Sequence, residues 1–420
     1  MQTRSGGSST NAPDKSARLT VATRAARFLA WYKATAIILL NTLLLFVLFE
    51  LVAFVVVGVA TSRTVRDVMA FRFERPNDMV AHHYELLSFY EEQDWSSQYW
   101  QEHGQALKKI YHPYVIWRSP AYSGELLNID DRGLRLTPGR TCQPGDYTVF
   151  AFGGSAMWGW GAPDWGTIPA FLEERLQESW GESLCVVNYG EQAYVSTQSL
   201  IQMLLLLDSG TVPDLVVFYD GVNEIFAARQ SGKPLLHQNF SEIASRFDGR
   251  RSPYATWFAS LKSYQLVRLV GAQLGGGRKG EVPQETLEPG SLAESVVQSY
   301  LSNYKIVQEL SRAYGFDFAF FWQPHILIGN KPLSEEEEEM LSGLDWVVRL
   351  DPILVDLFQG VWDRIQHEVP RHERLFDLAS VFAGVERSIW IDTWGHVTPE
   401  GNRLIAAAMA EILVETASGR

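Results

Sequence analysis

One uninterrupted apolar run, residues 34–60, constrains this chain more than any other feature of its sequence. It reads ATAIILLNTLLLFVLFELVAFVVVGVA, and Glu50 is its only charged residue. About 20 apolar residues of helix cross the hydrocarbon core of a bilayer, so the run can span a membrane even when tilted. A helix buried in a protein core is the alternative, but the basic residues before the run favour a membrane. We therefore expect a transmembrane helix over residues 34–60.

The charges around this run predict its orientation. Residues 1–33 carry six Lys and Arg residues against one acid, Asp14, whereas the whole chain has a formal charge of −13. The positive-inside rule then makes the N-terminus cytoplasmic and everything after residue 60 extracytoplasmic, that is, periplasmic or extracellular. Arginines soon after the run weaken this contrast. Residues 58–60 resemble a signal-peptidase site, but the run exceeds the roughly 7–15 apolar residues of a signal peptide, so we expect an uncleaved single-pass anchor.

The rest of the composition narrows the function classes. Because the chain after residue 33 is strongly acidic, it should not bind nucleic acid or an anionic membrane surface by general electrostatics. Cys142 and Cys185 are the only cysteines, which excludes a disulfide framework or a cysteine-based zinc site. In an oxidising compartment one bridge between them remains possible.

Four regions follow from composition and pattern. We expect a disordered basic cytoplasmic tail over residues 1–33, the membrane helix over 34–60, and a membrane-proximal collar of helices and short strands over 61–146, with a turn at residues 130–133. The main domain covers 147–420, with an irregular insertion at about 228–290. The insertion has three open interpretations: a lid, a membrane contact, or a segment without a function of its own. Glu50 likewise marks either a helix partner or a side chain that is protonated or reaches the headgroups.

From residue 147 onwards, short apolar runs alternate with helical patterns. The runs cover residues 148–152, 184–189, 215–219, 316–322 and 375–378. Such alternation is typical of a doubly wound α/β fold, so we expect a mostly parallel five-stranded sheet flanked by helices. The nearly all-apolar helix over 200–207 should be buried. Thr167 is expected to cap one helix, and Ser334 with Glu337 to form a capping box that explains the acidic run 335–339 better than cation binding.

Small and polar residues stand where three of these strands end. The first ends in Gly-Gly-Ser, which places the hydroxyl of Ser155 at the carboxyl edge of the sheet, where open α/β sheets bind ligands. A plain turn capped by Ser155 is the alternative. The second ends in Asn-Tyr-Gly at Gly190, and the third is followed by Gly-Val-Asn-Glu with Asn223. Near the C-terminus, His396 precedes a helix start and Asp392 lies four residues upstream.

In their order and positions these four groups resemble the four sequence blocks of SGNH (GDSL-type) hydrolases. The resemblance covers residue 147 to the C-terminus, apart from the insertion. It implies that Ser155 is the nucleophile, that His396 accepts and returns its proton, and that Asp392 orients His396. It also implies three donors to an oxyanion: the backbone N–H groups of Ser155 and Gly190 and the side-chain amide of Asn223. Glycine at 190 would let the substrate approach the backbone.

The chain departs from the family pattern at three positions. Gly154 stands where the family name has Asp, and Glu224 follows Asn223 where Asp is common. The spacing Asp-x-x-His becomes Asp-x-x-x-His between Asp392 and His396. The additional residue either bulges out without effect, or displaces Asp392 and leaves His396 held by a backbone carbonyl as part of a Ser-His dyad.

The resemblance implies a serine esterase acting on O-acyl esters, O-acetyl groups included. Together with the expected membrane anchor and extracytoplasmic location, it predicts cell-surface glycans first and lipids next as substrates. Trp158, Trp160 and Trp165 near the serine would line an acyl pocket. Two alternatives stay open: an acyltransferase that uses the same acyl-enzyme, and a catalytically silent glycan-binding or assembly module.

We expect no cofactor and no metal. The nucleotide-binding glycine motifs are missing, and residues 367–372 have one residue too many, and a proline, for a zinc-binding helix. Adjacent histidines at 82 and 83 face different sides of a helix.

Overall fold

A computed structural model describes residues 15–61, 84, 87–138, 142–181, 183–247, 258, 261–264, 266–267, 288–342 and 352–418. The chain divides into two compact units. The first comprises Met1–Arg72 and Arg251–Lys279, and the second comprises Phe73–Arg250 and Gly280–Arg420. The expected tail before residue 15 and the histidine pair at 82 and 83 lie outside the described residues.

The first unit is built on one long helix, Lys15–Thr61. Its portion Arg27–Val57 is long and apolar enough to cross a membrane. The tail expected to be disordered up to residue 33 is instead helical from Lys15. That stretch is rich in Ala, Leu, Arg and Lys and contains neither Gly nor Pro, so its helix propensity is high and the helix extends beyond the apolar run. The orientation of the span stays a prediction.

The second unit is organised around a five-stranded sheet whose strands are β5 (Tyr147–Gly153), β6 (Leu184–Asn188), β7 (Leu215–Asp220), β8 (Asp317–Trp322) and β9 (Leu375–Asp377). Their order in the sheet is β6-β5-β7-β8-β9, and every pair of neighbours is parallel. They match the five predicted runs to within one or two residues at each end. Their near-continuous apolar sequences suit strands buried on both faces. The expected doubly wound α/β fold is therefore confirmed.

Helices cover both faces of this sheet, and the alternation of side chains along each strand sorts the core into two layers. Phe152 and Phe218 pack on one face, against helices that include Pro289–Tyr314. Ala151 and Val217 pack on the other face, with the C-terminal helix. The helices are Ile168–Trp180, Ser196–Asp208, Val222–Ser231, Phe240–Phe247, Pro289–Tyr314, Glu335–Ser342, Pro352–Glu368 and Pro399–Ser418, with 3₁₀ turns at Asp164–Gly166 and Val369–Arg371.

We expected the nearly all-apolar residues 200–207 of the helix Ser196–Asp208 to be buried, but only one side of the helix is. Leu200, Met203 and Leu207 are in the core, whereas Leu204 and Leu205 are exposed. Because the helix lies on the outside of a sheet layer, only the stripe that faces the strands is covered, whatever the composition of the opposite face.

Within its described residues, 84, 87–138 and 142–146, the collar before the sheet comprises helices and two small hairpins. The helices are Ser88–Glu91 and Ser96–Ala106, and the strands are β1 (Ile110–His112), β2 (Ile116–Arg118), β3 (Tyr122–Ser123) and β4 (Asn128–Ile129). The second helix ends at Ala106, and the Leu-Lys-Lys sequence after it leads into the hairpin of β1 and β2. The predicted turn at residues 130–133 is present, with the N–H of Gly133 donating to the carbonyl of Asp130 at 2.9 Å.

The collar is tied to the sheet by packing and by a disulfide. Tyr90, Tyr99 and Trp100 are buried in one aromatic cluster with Trp158, which lies five residues after the end of β5. Cys142 is bonded to Cys185 in β6, with their Cα atoms 5.6 Å apart. The single bridge that the sequence allowed is therefore present.

Both expected helix caps are present. The hydroxyl of Thr167 accepts a hydrogen bond from the N–H of Ala170 at 3.3 Å. Ser334 and Glu337 cap each other's backbone, at 3.3 Å and 3.0 Å. Glu337 is completely buried and also accepts the N–H groups of residues 389 and 390, at 2.8 Å and 3.0 Å. The acidic run therefore contains an anchor for the chain that leads to His396.

Candidate active site

The sheet order brings three of the four motifs together. β5 lies between β6 and β7, so the residues that follow these strands, Ser155, Gly190 and Asn223, meet at one carboxyl edge. The chain continues from β5 to one neighbour and then returns to the other side, which makes this edge the topological switch point of the sheet. Ligands of open α/β sheets bind at such points.

Two glycines shape the turn that presents Ser155. Ser155 begins the short helix Ser155–Trp158 directly after β5. A Cβ atom on Gly153 would lie 2.4 Å from the carbonyl oxygen of Tyr219, and one on Gly154 would lie 2.1 Å from Nδ2 of Asn223. The departure at 154 thus has a physical reason: a side chain there would collide with the asparagine amide in its present position.

Ser155, His396 and Asp392 form a continuous hydrogen-bonded chain. Oγ of Ser155 lies 2.6 Å from Nε2 of His396, and Nδ1 of His396 lies 2.6 Å from Oδ2 of Asp392. Both His396 and Asp392 are buried. This is the geometry in which a base can accept a hydroxyl proton while a carboxylate orients it.

The additional residue between Asp392 and His396 is accommodated in a compact turn. Oδ1 of Asp392 accepts the N–H groups of Trp394, at 2.9 Å, and His396, at 3.2 Å, so the carboxylate folds the loop around itself. Gly395 takes the left-handed backbone conformation that this turn requires, with φ of +88°. Of the two interpretations of the spacing, the one with Asp392 in place beside His396 therefore describes the structure.

A tyrosine from the collar completes the surroundings of Asp392. The hydroxyl of Tyr84 donates to Oδ2 of Asp392 at 2.7 Å, across 308 residues of sequence. Burial raises the pKa of Asp392, but the facing charge of His396 and the hydrogen bonds from His396 and Tyr84 outweigh burial, so the pKa lies below its usual value. Asp392 is therefore ionised at neutral pH. No motif in the sequence pointed to Tyr84.

We expect Tyr84→Phe to lower the turnover of any ester the protein hydrolyses about tenfold or more, because a hydrogen bond to a buried charged group is worth about 1.5–3 kcal/mol. The ring and its packing are retained, so the melting temperature should change much less than kcat. Tyr122→Phe, at a partly exposed collar tyrosine whose hydroxyl meets Gln105 at 3.4 Å, is the matched control. Equal kcat values for Tyr84→Phe and the unchanged protein would show that Asp392 does not depend on this contact.

The three tryptophans expected around an acyl pocket have different environments. Trp160 stacks on the ring of His396, with centroids 5.0 Å apart and planes 14° apart. Trp165 is exposed. Trp158 is completely buried beneath the guanidinium of Arg135, which lies 4.6 Å from its ring centroid. Trp158 is thus a core residue, contrary to expectation.

Arg135 holds the loop that follows the serine. Its side chain is fully buried and pairs with Asp164 at 3.0 Å. It also donates to the carbonyl oxygens of Gly159 and Ala162, each at 2.5 Å. Because three partners surround one planar guanidinium, the path of residues 159–164 is fixed relative to the collar. The sequence offered no signal for this role.

The amide of Asn223 is held from both sides. Its Nδ2 donates to the carbonyl of Tyr194 at 2.7 Å, and its Oδ1 accepts from Nε2 of Gln238 at 2.7 Å. An amide nitrogen carries two N–H bonds, and the contact with Tyr194 uses one of them. Gln238 belongs to the insertion, so the start of the insertion contributes to the site.

Glu224, the second departure from the family pattern, joins the segments after β6 and β7. It accepts the N–H groups of Ser196 and Gly221 at 2.5 Å and 2.8 Å.

Gly190 has a different environment from the one expected. Its N–H donates to Oδ1 of Asn188 at 2.9 Å. A Cβ atom at this position would lie 2.5 Å from the backbone nitrogen of Trp158 and 2.8 Å from the carbonyl carbon of Met157. On the side where a side chain would project, the space beside Gly190 is therefore filled by the helix of Ser155. The N–H of Ser155 stands in the first turn of that helix, where backbone donors have no acceptor within the helix.

A second histidine supports the loop of Asp392 from behind. His325 is fully buried and stacks on Phe358, with ring centroids 4.0 Å apart. Its Nε2 lies 3.0 Å from the carbonyl of Thr393, and its Nδ1 accepts the N–H of Leu327 at 3.3 Å. Only the neutral ring with its proton on Nε2 satisfies both contacts. Burial lowers the pKa of His325 to about 4.

His325 should make stability depend on pH. Above an unfolded-state pKa of about 6.5 the ring is neutral whether the protein is folded or not, so it has no effect. Below that pH the ring takes up a proton in the unfolded chain, whereas in the folded chain it stays neutral until about pH 4. The free energy of unfolding should therefore fall by about 3 kcal/mol across this range. Urea unfolding of His325→Gln, with the exposed His367→Gln as control, should show a shallower decrease between pH 6.5 and 4. An unaltered slope would contradict the assignment.

Comparisons with known proteins give structural neighbours only. No protein-family model matches the sequence, and no curated protein matches it. Among solved structures, the chain is similar to a lipolytic protein of the G-D-S-L family from Desulfitobacterium hafniense DCB-2, at 11% identity and a TM-score of 0.35, covering 64% of this chain and 99% of that one. It is also similar to the acetyl xylan esterase AlAXEase, at 14% identity and a TM-score of 0.33, covering 63% and 98%. A carbohydrate acetylesterase family member from Sinorhizobium meliloti has 16% identity and a TM-score of 0.28, covering 63% and 96%. At these values no activity is carried over from the neighbours to this chain.

Proposed function

We propose that the chain is a serine hydrolase that cleaves carboxylic O-acyl esters through an acyl-enzyme. The observation that carries the proposal is the hydrogen-bonded chain from Ser155 through His396 to Asp392, with both contacts at 2.6 Å. A hydroxyl becomes an effective nucleophile when a neighbouring base accepts its proton. A plain turn capped by Ser155 would not require a buried imidazole and an ionised carboxylate behind it.

In the proposed first step, Oγ of Ser155 attacks the carbonyl carbon of the ester while its proton passes to Nε2 of His396. The tetrahedral intermediate collapses when the bond to the leaving oxygen breaks, and His396 donates the proton to the departing alcohol. In the second step a water attacks the acyl-enzyme, its proton passes to His396, and Ser155 recovers that proton as the acid leaves. Asp392 stays ionised and stabilises the imidazolium in both steps.

The negative charge on the carbonyl oxygen needs donors, and Asn223 and Ser155 are the best placed. The amide of Asn223 is fixed by Tyr194 and Gln238 and retains a second N–H, and Ser155 stands at a helix start. Donors that are already oriented lose little energy in reorganising when charge develops. Gly190 remains the third proposed donor, provided that its N–H exchanges Asn188 for the substrate.

We further propose that the enzyme is anchored by its N-terminal helix with the hydrolase unit outside the cytoplasm. The apolar helix and the disulfide, which persists in oxidising compartments, support this location. O-acyl groups on cell-surface glycans, O-acetyl first, are then the preferred substrates, followed by lipid esters. The contact between Asp392 and His396 weighs against a catalytically silent module, whose main support would have been a displaced carboxylate.

A fluorophosphonate probe tests this proposal on the full-length protein in detergent. Such a reagent phosphonylates a serine only when its hydroxyl is activated, so mass spectrometry of the labelled peptide identifies the nucleophile. We expect one adduct, on Ser155, that is absent in His396→Ala and retained in Ser209→Ala, a control at an exposed serine. A folded protein without an adduct on Ser155 would contradict the proposal. Adding an excess of a sugar alcohol to a later ester assay distinguishes transfer from hydrolysis.

A further inference from the structure

The middle of the insertion meets the apolar helix at the helix's single acid, Glu50. Glu50 accepts the backbone N–H groups of Lys262 at 2.8 Å and Ser263 at 3.2 Å, and the hydroxyl of Ser263 also donates to it. An ionisable side chain within an apolar span is costly unless it finds hydrogen-bond partners. The insertion supplies three donors to this one carboxylate, so Glu50 has a protein partner within the first unit.

The position of Glu50 along the helix sets the depth of this contact. The hydrocarbon core of a bilayer is about 30 Å thick, or about 20 helical residues at 1.5 Å each. Lys33 is the last basic residue before the apolar run, so a core that starts at residue 34 ends near Phe54. Glu50 then lies about 6 Å inside the far boundary, and the backbone of residues 262 and 263 lies at the same depth.

The described residues of the insertion around this contact, which we call the strap, are 258, 261–264, 266 and 267. The helix has a covered face and an open face next to this contact: Ala53, three residues after Glu50, is 0% exposed, whereas Leu51 is 58% exposed. The strap's own outward side chains are apolar or aromatic: Phe258 is 55% exposed and Val267 is 66% exposed. The ammonium of Lys262 lies 6.0 Å from the ring of Phe54, at the end of a long side chain that can reach the headgroups.

We propose that the strap is a membrane-embedded element, inserted at the boundary between headgroups and acyl chains, with the lipid bilayer as its partner. Its exposed apolar side chains continue the lipid-facing surface of the helix at the same depth. The backbone N–H groups of Lys262 and Ser263 are bonded to Glu50, which lowers the cost of placing them in lipid. Of the three interpretations of the insertion, this assigns membrane contact to its second half. The proposal goes beyond ester hydrolysis and does not depend on it.

The two cysteines of the chain are bonded to each other, so an introduced cysteine can be labelled alone under non-reducing conditions. We would place an environment-sensitive nitrobenzoxadiazole label on Phe258→Cys or Val267→Cys in the full chain, reconstituted in phosphatidylcholine vesicles. Doxyl lipids quench a label in the bilayer, and aqueous iodide quenches one in water. Leu51→Cys is the lipid-facing control, and Ile306→Cys, an exposed apolar position of the second unit, is the aqueous control.

The expected result is a blue-shifted emission at positions 258 and 267, with doxyl quenching comparable to that at position 51 and little quenching by iodide. Position 306 should show the reverse. Iodide quenching at both strap positions, or shielding from both quenchers by another protein surface, would overturn the proposal. Glu50→Leu replaces the acceptor with an apolar side chain, so iodide quenching at 267 should increase; an unchanged value would overturn the role assigned to Glu50.

Discussion

Ser155→Ala is expected to reduce the turnover of p-nitrophenyl acetate by about 10⁴- to 10⁶-fold, because removal of the nucleophile or its base from such a unit has effects of this size. The hydroxyl lies 2.6 Å from Nε2 of His396, and the methyl group of alanine leaves neither a nucleophile nor a proton to transfer. Loss of the hydroxyl should leave the melting temperature almost unchanged, because Ser155 is only partly buried.

The double variant sharpens this prediction. His396→Ala should lose about as much activity as Ser155→Ala, and Ser155→Ala/His396→Ala should lose no more than either alone, since residues that act as a unit are strongly non-additive. Ser209→Ala, at an exposed serine, controls for the purification and the assay. If Ser155→Ala retained a tenth of the activity, the nucleophile would lie elsewhere and the proposed mechanism would be wrong.

Asn223→Ala is expected to lower kcat about 10²- to 10³-fold with little change in KM, since one oxyanion donor is worth about 3–4 kcal/mol in the transition state. The selective effect on kcat follows because the negative charge develops only as the ester is attacked. Steady-state kinetics with the same ester measures both parameters.

Two further variants define what Asn223 does. Gln238→Leu removes the donor to Oδ1 of Asn223. It should also lower kcat, but by less than Asn223→Ala, because the amide of Asn223 is still present and only its orientation is less fixed. Asn303→Ala, a buried asparagine bonded to Ser196 at 2.9 Å, is the matched control for loss of an internal amide. A rise in KM at constant kcat in Asn223→Ala would instead mean that Asn223 binds the ground state of the substrate.

The parts of the fold that could be predicted are those set by local patterns. Each strand of the sheet is an apolar run a few residues long, and each expected cap, such as Thr167, depends on atoms within four residues. The motif residues Ser155, Gly190 and Asn223 could be placed at one edge for the same reason, because parallel strands put their carboxyl ends on the same side. The order of the strands then made them neighbours.

The errors and omissions arise where distant segments meet. The reason for a glycine at 190 was misjudged, because nothing near it along the chain shows that the backbone of Met157 and Trp158 fills the space that its side chain would need. The burial of Trp158 depends on Arg135, more than 20 residues earlier. Gln238 lies in a part of the insertion that has no motif, yet it fixes the amide of Asn223.

The sequence by itself determined the membrane-length apolar helix, the parallel α/β sheet and the identity of the candidate nucleophile, base and acid, because periodicity and short motifs act over a few residues. Only the tertiary structure decided whether Asp392 faces His396 across one additional residue, since that depended on the hydrogen bonds of its own loop and on Gly395. It also decided which remote groups serve the site and the span: Tyr84 beside Asp392, and Ser263 beside Glu50. Such contacts join residues far apart in the chain, and their geometry is set by the packing of whole elements, which no local pattern records.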